Sequence, residues 1–226
     1  PDQISDDIVW QRLARWITPK DADLERSAVY NFRSRIAESW RKDRVLIAGD
    51  AAHQMPPFMG QGMCAGIRDV GNLAWKLDHV LKGADPELLT TYYGERQANV
   101  RQFIELSVRL GKLINQSAAG EAPKGQMKSI WPSLGPGLGA RDGIGGELAP
   151  QAKGPEGMLA DTFANHGFYV LAREPMDAAL PVVPGEWEKL VEHNAKAAVI
   201  RPDGYALDRV DNAEEVEALM SQLGLA

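Results

Sequence analysis

The stretch Arg44-Val-Leu-Ile-Ala-Gly-Asp-Ala-Ala-His-Gln-Met-Pro-Pro-Phe-Met-Gly-Gln-Gly-Met-Cys64 constrains the fold of this chain more than any other. Val45 to Ala48 is a short apolar run of the kind that forms a strand buried on both faces, and Gly49-Asp50 ends it. A loop with two prolines and two glycines follows, then an amphipathic helix with Ile67, Val70, Leu73, Ala74, Leu77, Val80 and Leu81 on one expected stripe. Ligands of α/β proteins gather where strands end and helices begin, and this segment offers both.

Around it, Ser5-Asp6-Asp7 reads as a helix start, with the helix running towards Pro19. The aromatic and β-branched content of Leu24 to Ile36 favours a strand, and Trp40 to Asp43 a charged turn. Asp85-Pro86-Glu87 opens a long helix expected to reach about Asn115. Residues 131–158 hold eight glycines and four prolines and are expected to be loops. Beyond them, strands are expected at Phe168–Ala172, Ala197–Ile200 and Tyr205–Val210, with a tight turn at Arg201–Gly204. Helices are expected at Gly185–Asn194 and after Asn212.

Composition removes several classes of function. With 226 residues, 44% hydrophobic and 25% charged, the chain is ordinary globular material for one large domain or two smaller ones. A net charge of -6 and the lack of a basic block argue against nucleic-acid binding. No apolar run approaches the roughly 18 residues of a membrane span. One cysteine, Cys64, rules out an internal disulfide framework and fits a reducing, cytoplasmic setting.

Asp50 can accept hydrogen bonds from ligand hydroxyls, or simply satisfy amides in its own turn. Gly60-Gln61-Gly62 lets backbone approach a flat ligand and presents helix-start amides to negative charge, although Gly-x-Gly is also common in plain turns. A nicotinamide dinucleotide fold would place its glycines directly after the strand, whereas Gly60 lies eleven residues beyond Gly49. Pro56-Pro57 forms a stiff wall or aims a carbonyl at a substrate. His53 reads as a loop-packing residue and Cys64 as a small buried side chain. His79, His166 and His193 have no partner at metal-ligand spacing, so no metal site is expected.

Taken together, Gly49-Asp-Ala-Ala-His53, Pro56-Pro57, Gly60-Gln-Gly62, Asp69, Asn72-Leu-Ala-Trp-Lys-Leu77 and Tyr92-Tyr-Gly-Glu-Arg96 closely resemble the second flavin motif of the class A flavoprotein aromatic hydroxylases. The resemblance spans roughly Leu24 to Asn115. It implies an α/β fold: the C-terminal part of a Rossmann-like FAD/NAD(P)-binding monooxygenase with long helices. It also implies an FAD-dependent monooxygenase that uses NAD(P)H and O2, through a flavin C4a-hydroperoxide, to hydroxylate a phenolic ring. Asp50 would bind the ribityl chain. Gly49, Pro57, Gly60, Gln61, Gly62, Met63 and Cys64 would line the ring, with the amides of residues 62–64 at its N1/O2 edge. No catalytic side chain is implied beyond the Pro57 backbone beside substrate and flavin.

Within the family, Ala28-Val-Tyr-Asn-Phe32 and Arg35-Ile-Ala-Glu-Ser-Trp40 look most like the 3-(3-hydroxyphenyl)propionate hydroxylases of aromatic-acid catabolism. Ala198-Val-Ile-Arg-Pro-Asp-Gly-Tyr205 resembles the thioredoxin-like domain of phenol-hydroxylase relatives, here without a cysteine. The implied division is the end of a substrate domain (1–43), part of an FAD domain (44–118), a Gly/Pro-rich linker (119–158) and a thioredoxin-like domain (159–226). The family's Gly-x-Gly-x-x-Gly motif is not in this chain, so the chain is expected to be a fragment, inactive alone. Expected partners are a small aromatic substrate and O2, with homodimer formation left open. A nicotinamide dehydrogenase and a non-enzymatic interaction module are the competing readings.

Overall fold

Backbone hydrogen bonding arranges the chain as short strands and two long helices, followed by a mixed four-stranded sheet. The computed structural model describes residues 5–118, 131–139 and 143–225, and contacts divide the chain into two units, Pro1–Arg33 and Ser34–Ala226. In the first unit, helix α1 (Asp6–Leu13) starts at Ser5, which takes the extended N-cap conformation. It stops well short of Pro19, where the Asp21 carboxylate accepts hydrogen bonds from the Thr18 amide and hydroxyl at 2.9 and 2.7 Å. The strand expected from Leu24 onwards does not form: only β1 (Arg35–Ile36) is extended and paired, and Tyr30 and Phe32 are 68% and 54% exposed. Propensity alone does not make a strand. Its backbone needs a neighbouring strand to pair with, and residues 24–33 belong to no strand of the described residues.

In the second unit, β2 (Arg41–Lys42) and β3 (Val45–Leu46) form a hairpin in which Asp43 takes positive φ. The run Val45 to Ala48 is therefore not a strand buried on both faces. Only β2 pairs with β3 among the described residues, and Val45 is 67% exposed. A 3-10 turn at Gly49–Ala51 leads to β4 (His53–Gln54), antiparallel to β1, and a second 3-10 turn covers Pro57–Met59. Helix α2 (Gly62–Leu81) follows where it is expected. The Asp85 carboxylate caps a 3-10 turn, Pro86–Thr90, by accepting from the Glu87 amide at 2.9 Å, and α3 (Thr91–Ala118) continues from it.

Helix α2 turns a different face inward from the expected one, although Leu73 and Val80 of the expected stripe are partly buried against the core. Ile67, Val70 and Leu81 are 63%, 56% and 84% exposed, while Ala65, Asp69, Asn72, Trp75 and Lys76 are buried. The two faces lie nearly opposite around a 100° per residue helix. Hydropathy selects the apolar stripe, but the inward stripe is positioned by ion pairs that periodicity does not register.

After the loops comes α4 (Ala160–Phe163), then β5 (Tyr169–Ala172), β6 (Val182–Pro184), α5 (Glu188–Glu192), β7 (Ala197–Ile200), β8 (Ala206–Val210) and α6 (Ala213–Gln222). The sheet order is β6-β5-β7-β8, with β5 and β6 parallel and the other pairs antiparallel. Every residue of β5 and β7 is buried because both sheet faces are covered. Val170, Val199 and Val216 pack on one side with Trp75 and Leu88, and Leu171, Ile200 and Leu190 pack on the other with Ile144. The turn at residues 201–204 closes through a Gly204 N–H to Arg201 carbonyl bond of 2.9 Å. Asn212 caps α6 by accepting from the Glu215 amide at 3.0 Å. Among the described residues, no helix is long and apolar enough to cross a membrane, and no group of side chains suits a metal.

Candidate functional site

Side chains of α3 bond the backbone before and after the turn Gly49–Ala51, and Asp69 of α2 holds the turn itself. Tyr92 donates its hydroxyl proton to the Ile47 carbonyl at 3.1 Å, and Ser107 donates to the Pro56 carbonyl at 2.6 Å. Between them Arg96 donates from Nε to Asp69 at 2.8 Å. Residues 92, 96, 99, 103 and 107 follow three- and four-residue steps, so these contacts lie on one stripe of the helix. Arg96 further donates to Asn99 at 2.7 Å, and Asn99 donates to the Pro132 and Ser133 carbonyls at 2.5 and 3.0 Å.

Asp69 is the junction. It has no exposed surface, and its Oδ2 accepts from the Gly49 amide at 3.0 Å and lies 2.6 Å from His53 Nε2. Burial alone would raise its pKa, but the His53 hydrogen bond and the Arg96 charge outweigh burial and hold it below the usual carboxylate range. An ionised Asp69 can only accept, so the proton between the two groups sits on His53 Nε2. His53, 2% exposed and 5.5 Å from the Trp40 ring, is a packing residue as expected.

The geometry is tight around Gly49. Its φ is +58°, and a Cβ added to Gly66 would lie 3.3 Å from its Cα, so turn and helix touch backbone to backbone. On the open side, Ala48, Gly49, Met63, Gly66, Ile67 and Val70 line a shallow apolar groove.

The residues singled out from sequence fall around this groove and the neighbouring loop. Asp50 is exposed in the 3-10 turn, one residue beyond the Gly49 amide that Asp69 holds. Pro57's carbonyl accepts from the Gly60 amide at 2.8 Å, and Pro56's is taken by Ser107. Gly60 has φ +63°, and no atom lies within 4 Å of a Cβ built on Gly60 or Gly62. Gln61 occupies the N-cap of α2 without a side-chain cap bond, its amide oxygen accepting from Arg68 at 2.6 Å. Helix hydrogen bonding begins with the Ala65 amide to Gln61, which leaves the amides of Gly62, Met63 and Cys64 as the helix's leading donors. Met63 is 76% exposed, and Cys64 is half-buried rather than buried.

Sequence reasoning gave no role to a second cluster. Glu95, next to Arg96, accepts from Asn72 and Lys76 at 2.8 Å each, from the Leu138 amide at 2.8 Å and from Arg201 at 2.8 and 3.1 Å. Arg201 also pairs with Asp203 at 2.6 Å. The available signal was five polar residues, at 69, 72, 76, 95 and 96, in two helices that also carry apolar residues.

The open space over Gly60 and Gly62, the leading amides and the apolar groove suit a flat, partly anionic ring, so these residues fit a flavin. Comparison with known proteins agrees. Residues 1–107 match the FAD binding domain family. A Rhodococcus jostii protein named as a probable NADH-specific resorcinol 4-hydroxylase is 36% identical, over 96% of this chain and 49% of its own length. A 3-(3-hydroxy-phenyl)propionate/3-hydroxycinnamic acid hydroxylase of Mycolicibacterium vanbaalenii is 50% identical, over 46% of this chain and 18% of its own length. Among solved structures, aklavinone-11 hydroxylase with FAD and aklavinone superposes with a TM-score of 0.67 at 24% identity, over 98% of this chain and 52% of that one. This last likeness is one of fold. The chain spans about half the length of the relative that matches it end to end.

Proposed function

We propose, from the match of residues 1–107 to the FAD binding domain family, that this chain is part of an FAD-dependent monooxygenase that hydroxylates a phenolic ring. The observation that carries the reading is the cradle from Gly49 to Cys64, with its leading amides, its open glycines and the exposed Asp50 beside an apolar groove.

Asp50 would accept hydrogen bonds from the ribityl hydroxyls of FAD. The amides of Gly62, Met63 and Cys64 would face the edge of the ring where negative charge gathers on reduction, aided by the α2 dipole. Gly60 and Gly62 would leave room for the ring, with the Gln61 side chain turned to Arg68, and Pro56–Pro57 would shield one side of the site from water. When bound, FAD supplies the redox chemistry, with NAD(P)H as electron donor and O2 as the oxygen source. The protein's part is to orient and to neutralise charge.

For the substrate, the named relatives support a small phenol such as resorcinol or a 3-hydroxyphenyl-substituted acid. The mixed sheet of β5 to β8 supports the thioredoxin-like reading of the C-terminal region. With no cysteine there, its role is packing rather than thiol chemistry. A nicotinamide dehydrogenase finds no support, because the glycine spacing is wrong and Asp78 lies inside α2 rather than at a strand end.

To test this, the complete reading frame that encodes this chain is expressed and the protein purified. A yellow protein whose flavin is lost in Asp50→Ala is expected. NAD(P)H oxidation with resorcinol or 3-(3-hydroxyphenyl)propionate should yield a hydroxylated product. A colourless protein, or oxidation without product on any phenol tested, would overturn the reading.

A further inference from the structure

Arg201 lies at the end of β7, 1% exposed, and reaches out of the C-terminal sheet to both long helices. Its Nη1 and Nη2 donate to the two Glu95 oxygens at 3.1 and 2.8 Å, a two-pronged grip on α3. Its Nε and Nη2 donate to Asp203 at 3.1 and 2.6 Å, and its guanidinium carbon lies 5.3 Å from the centre of the Trp75 ring on α2. The cluster is balanced, with Lys76 and Arg201 positive and Glu95 and Asp203 negative. Asn72 bridges Glu95 and Asp203 at 2.8 and 2.9 Å.

The residue after Glu95 points into the other cluster. Arg96 holds Asp69, and Asp69 holds the Gly49 amide. Successive residues of a helix are fixed relative to one another, so a shift of Glu95 carries Arg96 with it. We propose that Arg201 is a positioning residue of the flavin site, acting from the C-terminal sheet through Glu95 and Arg96 on Asp69 and the Gly49 amide.

The chemistry selects arginine. A lysine at position 201 would keep the charge but could not bond both Glu95 oxygens and Asp203 in one plane. Without the cation, Glu95 and Asp203 are left as two buried carboxylates facing one ammonium, and α3 must shift or admit water to relieve them. The sheet is thereby part of the flavin scaffold, although it supplies no atom to the cradle. The link to flavin rests on the function proposed above. The link to Gly49 does not.

The test separates the two. In the complete protein without added flavin, hydrogen exchange is followed at the Gly49 amide in the wild type, Arg201→Lys, Arg201→Met and Val216→Ala. Val216 on α6 is fully buried against the same sheet and has no polar side-chain atom with which to bond Glu95 or Arg201, so it is the control for plain destabilisation. Variants are compared at temperatures equally far below their own melting points. The expected result is at least tenfold faster Gly49 exchange in both Arg201 variants and less than twofold in Val216→Ala. Arg201→Lys keeps the cation and serves if Arg201→Met does not fold. Unchanged Gly49 exchange in a folded Arg201 variant, or equal acceleration in Val216→Ala, overturns the proposal.

FAD titration then reads the functional half. A tenfold rise in Kd and an altered visible circular dichroism of bound flavin are expected for Arg201→Lys, with neither change in Val216→Ala. Faster exchange with unchanged Kd would remove Arg201 from the flavin site while leaving the coupling. A wild type that binds no FAD would instead overturn the proposed function, and Gly49 exchange would still decide the coupling.

Discussion

Asp69 on α2 and Arg96 on α3 meet at 2.8 Å with no side-chain surface of either exposed to solvent. An ion pair this deep is seldom a large net source of stability, because both partners give up hydration. Its value here is positional. Asp69 uses its remaining capacity on His53 and on the Gly49 amide, so the pair sets where the Gly49–Asp50 turn sits against α2.

Replacing Asp69 by Asn should therefore cost about 3–5 kcal/mol, the range expected when a buried cation loses its partner. Urea denaturation of the complete protein measures it. A loss below about 1 kcal/mol would show that Arg96 finds another partner or water.

Gly66→Ala and Gly62→Ala should behave differently although both sit in α2. At Gly66 a Cβ would stand 3.3 Å from the Gly49 Cα, two backbones that have little room to give. The expected cost is about 1–3 kcal/mol, as for overpacking elsewhere. At Gly62 nothing lies within 4 Å, so alanine should be neutral or stabilise by up to about 1 kcal/mol. If FAD occupies that space, Gly62→Ala should still weaken its binding at least tenfold in a fluorescence titration. Unchanged affinity would place the flavin elsewhere.

Acid should dismantle the second cluster. Burial works to raise the Glu95 pKa, but Arg201 and Lys76 prevail and push it down to about 2, against about 4.5 for a free glutamate. The unfolded chain therefore binds more protons between those values. The stabilisation is complete above pH 4.5 and is lost as pH falls towards 2. Asp69, also held below the usual range, acts in the same direction. Stability measured by denaturant at stepped pH should fall across this window, and Glu95→Gln, less stable at neutral pH, should flatten the fall. An equal slope in that variant would assign the loss to other carboxylates.

Ser107→Ala should loosen the proline loop. Its hydroxyl donates to the Pro56 carbonyl at 2.6 Å across 51 residues of sequence, and without it a buried acceptor goes unpaired. The cost expected is about 1–2 kcal/mol by thermal denaturation. Hydrogen exchange of the Gly60 amide, bonded to Pro57, should speed up as well. A protected Gly60 would mean that prolines alone stiffen the loop.

Much of this was legible in the sequence. Cap residues marked Asp85 and Asn212, and the apolar run Ala197–Ile200 forms a strand with those limits. Each of these signals is local: a side chain bonds a backbone a few residues away, or a covered sheet asks for unbroken apolar residues. The Leu24 strand and the two-sided burial of Val45 failed for the opposite reason, since both depend on neighbouring strands that propensity cannot count. The short strand β6 and helix α4 carried too little pattern to be read at all.

By itself, the sequence determined the cradle: a Gly-Asp turn, a proline wall and open glycines at a helix start, in an order that resembles a flavin motif. Those are properties of backbone and local spacing. Only the tertiary structure decided which face of α2 turns inward and what holds Gly49. That outcome rests on Asp69 with Arg96 and on Glu95 with Arg201, pairs separated by 27 and 106 residues. A charged side chain reads as surface in a hydropathy pattern, and becomes a core residue only when folding brings its counter-charge to hydrogen-bonding distance in a site that excludes water.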